Sequence, residues 1–257
     1  MSVTFDVKDH VAHVTIDRPT RMNAIDSATH QRLNEIWDEV EATPNIRCVV
    51  LTGAGERAFC AGADLKDGTG KSGVEYWQGI SNDFSGIALR RTLKIPVIAR
   101  VNGLALGGGL EMVLGCDIVL AADTARFALP EAKVGRVPLD GGMVLLQRLI
   151  PRNIAVGMMM TGRMVSAPEM ARYGLVNSVV PMADLDAEVN AWVADILNAA
   201  PLSLRAIKAL VRETPDMPVH EAFKRQTPEL ILALNSEDAN EGVAAFREKR
   251  LPIWKGR

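Results

Sequence analysis

Two glycine-rich segments and two glutamates are the parts of this 257-residue sequence best suited to carry chemistry. The more informative segment, residues 102–111, reads NGLALGGGLE and follows an apolar stretch predicted to be a strand at 96–101. Each glycine in a helix interior lowers helix stability by roughly 1 kcal/mol relative to alanine, so three in a row indicate that a bare backbone is needed. If the glycines at 107–109 open a helix that runs to Gly115, their free N–H groups can stabilise a developing negative charge.

Glu111 would lie in the first turn of this helix, two residues after the last glycine. A glutamate there is compatible with a surface position that complements the helix dipole, but its apolar neighbours favour partial burial. Burial raises the pKa of a carboxyl towards the range useful for proton transfer. Glu131, which follows Pro130 at the predicted end of an extended segment, is by itself an ordinary loop glutamate.

A nucleotide-binding loop at residues 102–111 is poorly supported, because the glycine spacing matches neither the dinucleotide fingerprint nor the P-loop.

The other glycine-rich segment, residues 58–66, reads AFCAGADLK and follows a short apolar strand at 48–51. Small residues at 61–63 allow the backbone to approach a ligand closely, and glycine permits dihedral angles that turn N–H groups outward. Taken alone, the segment is better explained as a tight strand-to-helix turn without a ligand.

Composition narrows the class of protein. Apolar residues make up 48% of the chain and charged residues 23%, which suits a folded protein with a sizeable core. The net charge of −2 and the lack of a basic block argue against nucleic acid as a partner. Three isolated cysteines and four scattered histidines form no metal-binding pattern, so we expect no metal and reduced thiols in a cytoplasmic protein. The sequence shows no secretory signal and no apolar run of about 18 residues, so we expect no membrane span.

The elements that would position the candidate residues alternate between strands and helices. Apolar residues alternate with polar ones over 3–7 and again over 12–16, which predicts a hairpin. Asp26 or Ser27 can cap a helix whose apolar face is Leu33, Ile36, Trp37 and Val40. Further elements are predicted as strands at 48–51, 96–101 and 117–121 and a helix at 74–93. This alternation predicts an α/β fold built from strand–helix units with crossovers.

From about residue 140 the pattern becomes almost entirely helical. One apolar stripe consists of Leu185, Val189, Trp192, Val193, Ile196 and Leu197, and another of Ile207, Leu210 and Val211. Prolines at 201, 215 and 218 lie near the predicted starts of these helices. We therefore expect a helical carboxyl-terminal region whose tail packs on a neighbouring subunit.

Taken together, these residues resemble the enoyl-CoA hydratase/isomerase family, also called the crotonase superfamily, over essentially the whole chain. No single motif suffices, and the order and spacing of many motifs carry the resemblance. The matching stretches are residues 17–19, 23–24, 58–66, 102–117, 127–135, 141–142, 161–163, 174–176, 236–238 and 246–250.

The resemblance implies a fold and an assembly. The fold would be a crotonase-like α/β spiral of ββα units at 1–195, followed by a helical region at 196–257 that takes part in oligomer packing. The chain would associate with itself as a homotrimer or as a hexamer made of two trimers.

The resemblance also implies an activity, the reversible addition of water to a 2-enoyl-CoA thioester through an enolate. In this family two backbone N–H groups form an oxyanion hole for the thioester oxygen, and here they fall on Ala61 and Gly108. The two catalytic acids of the hydratases match Glu111 and Glu131. Isomerase branches typically keep only the acid that matches Glu131, so both acids together favour a hydro-lyase. A non-catalytic acyl-CoA-binding member is disfavoured, because the acids and the glycines are all present.

Contacts with the substrate follow from the same resemblance. Coenzyme A is part of the substrate in this family and not a permanently bound cofactor. It would lie along a backbone segment formed by Ala61, Gly62, Ala63, Asp64 and Leu65. Arg21 and Lys249 fall where basic groups often meet the coenzyme's phosphates, although both positions equally suit ordinary surface charges.

One stretch departs from the usual family pattern. Many hydratases have small residues where this chain has PLDGG at 138–142, and the bulkier Leu139 and the charged Asp140 would line the acyl pocket. This departure disfavours a simple fatty enoyl chain. The segments 127–133 and 236–257 look close to the carnitinyl-CoA dehydratases, whose trimethylammonium substrate an acidic Asp140 would suit. Aspartate before two glycines and an apolar run is also a usual helix entry, and we expect Asp140 to cap that helix.

Overall fold

The hairpin predicted at the amino terminus is present. In this computed structural model, which describes residues 2–67, 73–79 and 84–257, β1 (Val3–Lys8) pairs antiparallel with β2 (Val11–Ile16). Alternate residues of β2 enter the core, and Val14 and Ile16 are fully buried. The alternation of apolar and polar residues therefore decides which face of the hairpin meets the core.

The strands form two sheets in the described part of the chain. After the hairpin come β3 (Cys48–Gly53), β4 (Ala58–Cys60), β5 (Val97–Val101), β6 (Leu104–Leu106), β7 (Ile118–Ala122), β8 (Arg126–Ala128), β9 (Val165–Ser166) and β10 (Ser178–Val180). The larger sheet has the order β1-β2-β3-β5-β7-β10, and the smaller sheet has the order β4-β6-β8-β9. Because β4, β6 and β8 each follow a strand of the larger sheet, the chain advances as a spiral of ββα turns.

The helices follow the strands as the sequence predicted for most of the chain. They are α1 (Ser27–Ala42), α2 (Gly73–Gln78), α3 (Gly108–Leu114), α4 (Gly142–Leu149), α5 (Arg152–Thr161), α6 (Ala167–Arg172), α7 (Leu185–Leu197), α8 (Pro201–Glu213), α9 (Val219–Phe223), α10 (Pro228–Leu234) and α11 (Glu237–Glu248). The predicted cap of α1 is confirmed, since the Asp26 side chain accepts a hydrogen bond from the Thr29 N–H.

The single helix predicted at 74–93 is wrong. The described residues of that segment form only α2 and a short 3-10 helix, Phe84–Gly86, and residues 80–83 lie outside the described ranges. Ser85 has a left-handed φ of 58°, which ends regular helix, and its carbonyl oxygen accepts a hydrogen bond from the Trp37 indole at 2.7 Å. This contact with α1 joins residues 48 positions apart, so the helical period of the segment does not reveal it.

The main apolar core joins both sheets to α1 and α3, and a second cluster lies against α7. Leu185, Val189 and Ile196 of α7 are buried beside strand residues of the larger sheet, as the first predicted stripe requires. The second predicted stripe is not the buried face of α8, because Ile207 and Val211 are 59% and 65% exposed. The boundary predicted at residue 195, between the spiral core and the helical region, falls inside α7. The division into these two regions stays a prediction from the resemblance.

Candidate active site

The predicted helix after the glycines is α3, and its first turn rests directly on the smaller sheet. Gly107 has a left-handed φ of 55° and donates its N–H to the carbonyl oxygen of Ala128 on β8 at 2.9 Å. A methyl group on Gly109 would collide with the carbonyl group of Cys60 on β4. The glycines therefore allow a close contact between a helix and a strand, and the N–H of Gly107 is not one of the free donors.

Glu111 is buried in the first turn of α3 and is only 2% exposed. Its Oε1 accepts a hydrogen bond from the N–H of Gly142, at the start of α4, at 2.8 Å. Burial is the largest effect on this carboxyl, and together with the charges of Asp140 and Glu131 it raises the pKa to about 8, against the opposing hydrogen bond from Gly142. At neutral pH Glu111 therefore carries a proton.

Glu131 begins a short 3-10 helix, Glu131–Val134, that follows β8. Its Oε2 is buried and has no hydrogen-bond partner among the described residues, and burial raises the pKa of the carboxyl, with a further contribution from Asp140. A methyl group on Gly107 would lie 2.8 Å from Oε1 of Glu131, which places this carboxyl at the start of α3. The structure thus brings the two predicted acids into one interacting group.

The segment that contains the predicted donor Ala61 runs beside Ile25. The Ala61 N–H donates to the carbonyl oxygen of Met22 at 3.1 Å, so this N–H is already occupied. The prediction that Ala61 supplies an oxyanion donor is therefore not supported by its hydrogen bonding. Sequence spacing cannot show which N–H groups along such a segment are already paired.

Ala63, two residues later, has an N–H that donates to no other group in the described part of the chain. Ile25 donates to the carbonyl oxygen of Gly62 at 2.9 Å and accepts from the N–H of Asp64 at 2.8 Å. Because backbone groups alternate in direction along an extended segment, the N–H of Ala63 faces away from Ile25. The side of the segment opposite Ile25 is the side on which β6 lies, because β6 pairs parallel with β4. The chain runs from β6 into α3, so this side also contains the connection to α3.

The two predicted donor loops meet at Gly108, the first residue of α3. A methyl group on Gly62 would lie 3.4 Å from the Gly108 nitrogen. Within the residues that the structure describes, neither the Gly108 N–H nor the Ala63 N–H donates to another protein group. Two unpaired backbone donors from separate loops therefore lie close together beside the acids.

Asp140 does not cap the following helix as predicted. The residue in the cap position of α4 is Gly141, and no side chain bonds to the helix there. The Asp140 carboxylate instead accepts hydrogen bonds from the Tyr76 hydroxyl, at 2.9 and 3.1 Å, and from the backbone N–H of Phe84. Burial raises the pKa of Asp140, while these two hydrogen bonds oppose the shift. Leu139 beside it is half-buried.

Sequence reasoning missed Arg18 and Tyr76. Arg18 pairs with Asp26 at 2.7 Å and with Asp64 at 3.1 Å, and thereby ties the segment around Ala63 to the start of α1. Arg18 belongs to a stretch that matches the family, but that match does not show which acid it pairs with. Tyr76 is in a region whose predicted helix is mostly absent, so no periodic signal pointed to it.

The remaining predicted contacts lie at the surface. Arg21 is exposed in a 3-10 helix, Pro19–Arg21, and its charge helps to lower the pKa of Asp64, after the larger effect of the Lys66 N–H. Leu65 is 70% exposed. Lys249 is exposed at the end of α11, and its side chain forms no hydrogen bond or ion pair in the described ranges. In the part of the chain that the structure describes, none of these three side chains forms a hydrogen bond or ion pair with Glu111 or Glu131.

The cysteines do not contribute a reactive group to this site. Cys60 is fully buried under α3, and burial raises the pKa of its thiol to about 12.

Over the described ranges, no group of three or more histidine, cysteine or acidic residues is arranged to hold a metal ion. In the same ranges, none of the helices combines the length and the apolar character needed to cross a membrane.

Comparison with known proteins identifies the family of this chain. The family model described as enoyl-CoA hydratase/isomerase matches residues 6–257. The chain belongs to the enoyl-CoA hydratase/isomerase family. The carnitinyl-CoA dehydratases of Shigella flexneri and of Escherichia coli (strain K12) are each 41% identical to it over 251 residues, which covers 96% of this chain and 95% of theirs.

Solved structures of this family share the fold. The enoyl-CoA hydratase from Bacillus anthracis aligns with a TM-score of 0.91 at 34% identity and covers 100% of both chains. The enoyl-CoA hydratase from Mycobacterium tuberculosis H37Rv aligns with a TM-score of 0.90 at 31% identity, over 100% of this chain and 99% of that one. The predicted α/β spiral of ββα units is confirmed, and the chain is a hydro-lyase of the enoyl-CoA hydratase type.

Proposed function

We propose that the protein adds water reversibly to a 2-enoyl-CoA thioester, with Gly108 and Ala63 as oxyanion donors and Glu111 and Glu131 as the proton-transfer pair. The observation that carries this proposal is the proximity of the Ala63 and Gly108 N–H groups, which have no partner among the described residues, to two interacting carboxyls. A thioester oxygen placed between the two donors would have its α and β carbons near the acids.

The two donors stabilise the charge that develops during the reaction. When the oxygen of water bonds to Cβ, the electrons of the double bond move onto the thioester and form an enolate. A preorganised backbone donor near such an oxygen is worth about 3 kcal/mol in the transition state. Because Ala63 and Gly108 have fixed backbone positions, little reorganisation accompanies the appearance of the charge.

The two acids balance the protons of the reaction. One carboxylate takes a proton from water as its oxygen bonds to Cβ, and the other carboxyl delivers a proton to Cα, so the pair starts and ends with one proton. The raised pKa of Glu111, about 8, supports a singly protonated pair at neutral pH. No metal is needed for these steps.

The coenzyme would follow the segment from Ala61 to Leu65, with Arg21 and Lys249 as candidate phosphate contacts. The outward N–H of Ala63 and the exposure of Leu65 support an open backbone edge for the ligand. The exposed charge of Arg21 beside Asp64 supports a contact near this edge. For Lys249, the family resemblance supports the contact.

The direct test replaces each acid by its amide. Glu111→Gln and Glu131→Gln should each lower kcat on an enoyl-CoA by at least about 100-fold, because one proton-transfer group is lost while the shape is kept. The Kd for coenzyme A should change little. Glu35→Gln, on the exposed face of α1, is the matched control. Unchanged turnover in both variants across a panel of enoyl-CoAs would remove the proposal.

A second candidate is a carnitinyl-CoA dehydratase, which is the printed function of relatives at 41% identity. Asp140 supports it, because a buried carboxylate beside the acids suits an acyl group with a positive charge. Tyr76, whose hydroxyl bonds to Asp140, adds an aromatic group of the kind that binds quaternary ammonium.

Rates on crotonyl-CoA and crotonobetainyl-CoA separate these candidates. The carnitinyl version predicts a kcat/KM at least about tenfold higher for the charged substrate and a loss of that preference in Asp140→Asn. A preference for the uncharged substrate would exclude it and leave the simple hydratase.

Self-association as a homotrimer or a hexamer of two trimers is the assembly we propose. Large apolar side chains on the carboxyl-terminal helices support it, among them Ile207, Val211, Phe223 and Phe246, which are 59%, 65%, 89% and 85% exposed. Light scattering on the purified protein should give three or six times the mass of 27.8 kDa for one chain. A monomer at micromolar concentration would contradict this assembly.

A further inference from the structure

Asp140 and Tyr76 form a hydrogen-bonded pair that the proposed chemistry does not yet use. The Tyr76 hydroxyl, on α2, lies 2.9 Å from Oδ1 and 3.1 Å from Oδ2 of Asp140. The backbone N–H of Phe84 also donates to this carboxylate. Asp140 is only 7% exposed, so these two donors replace the water that a surface aspartate would have.

The backbone beside Asp140 holds Glu111. The N–H of Gly142 donates to Oε1 of Glu111 at 2.8 Å, and the backbone N–H of Asp140 also lowers the pKa of that carboxyl through a hydrogen bond. A methyl group on Gly142 would lie 3.0 Å from Oε1, which shows how closely this turn approaches the acid. The turn at 140–142 is thus fixed by Tyr76 and Phe84 on one side and bonded to Glu111 on the other.

We propose that Asp140, anchored by the hydroxyl of Tyr76, is a positioning residue that holds the turn at 140–142 against Glu111 and places a negative charge beside its carboxyl. The inference rests on the proposed role of Glu111 in proton transfer. In this proposal α2, a short helix that is distant in sequence from both acids, helps to fix the position of Glu111. Asp140 acts through Glu111 and need not touch the reacting atoms.

The negative charge of Asp140 changes the pKa of Glu111 in a direction that electrostatics determines. Among the described residues, the charged groups that act on Glu111 are Asp140 and Glu131, while Cys60 on β4 remains a neutral thiol. A negative neighbour disfavours ionisation of a carboxyl and so raises its pKa. Removal of the Asp140 charge should therefore lower the pKa of Glu111 and make it lose its proton at a lower pH.

Two variants test the pair, each with a matched control. Asp140→Asn removes the charge but keeps the shape, and Tyr76→Phe removes only the hydroxyl that anchors it. Asp195→Asn, an exposed residue of α7, and Tyr173→Phe, the other tyrosine of the chain, are the controls. The readouts are kcat, KM and the pH profile of kcat/KM on the preferred enoyl-CoA, with circular dichroism and thermal unfolding to confirm folding.

Both test variants should lower kcat about tenfold with a smaller change in KM, because a loosened turn misplaces Glu111. The alkaline limb of the pH profile should move to lower pH by about half a unit or more in Asp140→Asn. In Tyr76→Phe it should move in the same direction by less, because the weakened hydrogen bonding leaves Asp140 protonated over a wider range of pH. Both controls should behave as the wild-type protein does.

An unmoved alkaline limb in folded Asp140→Asn, or a kcat in Tyr76→Phe equal to that of the wild-type protein, would overturn the inference. A purely structural role would lower kcat without moving the limb. Failure of the proposed function gives a different result, since the wild-type protein would then hydrate no enoyl-CoA and Glu111→Gln would have no effect on turnover.

Discussion

The N–H of Gly142 donates to Oε1 of Glu111 at 2.8 Å, which joins the start of α4 to the first turn of α3. The two residues are 31 positions apart. Gly142 comes directly after Gly141, which has a positive φ. The acid therefore depends on a turn from another part of the chain for its orientation. Four expected outcomes follow from this arrangement and from the contacts around it.

The activity should fall on the alkaline side as Glu111 loses its proton. Its pKa is raised to about 8, chiefly by burial, so the singly protonated pair is lost as the pH rises through that value. We expect kcat/KM on an enoyl-CoA to decrease about tenfold for each pH unit above it. Initial rates measured from pH 5 to pH 10 check this expectation, and a constant kcat/KM up to pH 10 would contradict it.

The same buried carboxyl should make the fold less stable at alkaline pH. The pKa of Glu111 in the folded protein, about 8, is above the ordinary value of 4.5, so its contribution is most favourable below about 4.5 and is lost as the pH rises to about 8. Glu111→Gln cannot ionise and should be about 3–5 kcal/mol more stable than the wild-type protein at pH 8.

Urea unfolding of both proteins at pH 5 and pH 8 measures this difference. The stability advantage of Glu111→Gln should be small at pH 5 and larger at pH 8, because the other titrating groups are common to both proteins. Glu35→Gln, which alters an exposed carboxyl, should show no such trend. An advantage that is equal at the two pH values would indicate a packing effect instead of ionisation.

Gly107→Ala should damage both the activity and the fold. Its φ of 55° is unfavourable for alanine, and the added methyl group would lie 2.8 Å from Oε1 of Glu131. We expect a loss of about 1–3 kcal/mol in stability. Displacement of Glu131 should also lower kcat by about 100-fold.

The matched control for Gly107→Ala is Gly157→Ala, on α5. A methyl group at Gly157 meets no atom of the described residues within 4 Å, so the exchange should stabilise the helix by about 0.5–1 kcal/mol and leave kcat unchanged. Equal effects of the two exchanges on kcat would show that the contact with Glu131 is unimportant.

Arg18→Gln should lower kcat/KM more than it lowers the stability of the fold. Arg18 holds Asp64 at 3.1 Å and Asp26 at 2.7 Å, and so fixes the segment that carries the N–H of Ala63. We expect kcat/KM to fall about tenfold through the loss of this positioning. Arg32→Gln, which breaks an exposed ion pair on α1, is the control. A kcat/KM within twofold of the wild-type value would show that Ala63 is held by other contacts.

The sequence by itself determined the elements whose pattern is local. The hairpin, the cap of α1 at Asp26 and the buried stripe of α7 follow from side-chain periodicity and capping chemistry, which depend on neighbours in the chain. The glycines before Glu111 and the matches along the chain likewise indicated the family, which the comparisons then confirmed.

Only the tertiary structure decided which groups are free and which are paired. The N–H of Ala61 donates to Met22, whereas that of Ala63 has no partner in residues 2–67, 73–79 and 84–257, although spacing alone treats the two as equals. The carboxylate of Asp140 bonds to Tyr76, 64 positions away, and not to the helix beside it. A hydrogen bond depends on the direction of two groups in space, and when they come from distant parts of the chain no local pattern records that direction.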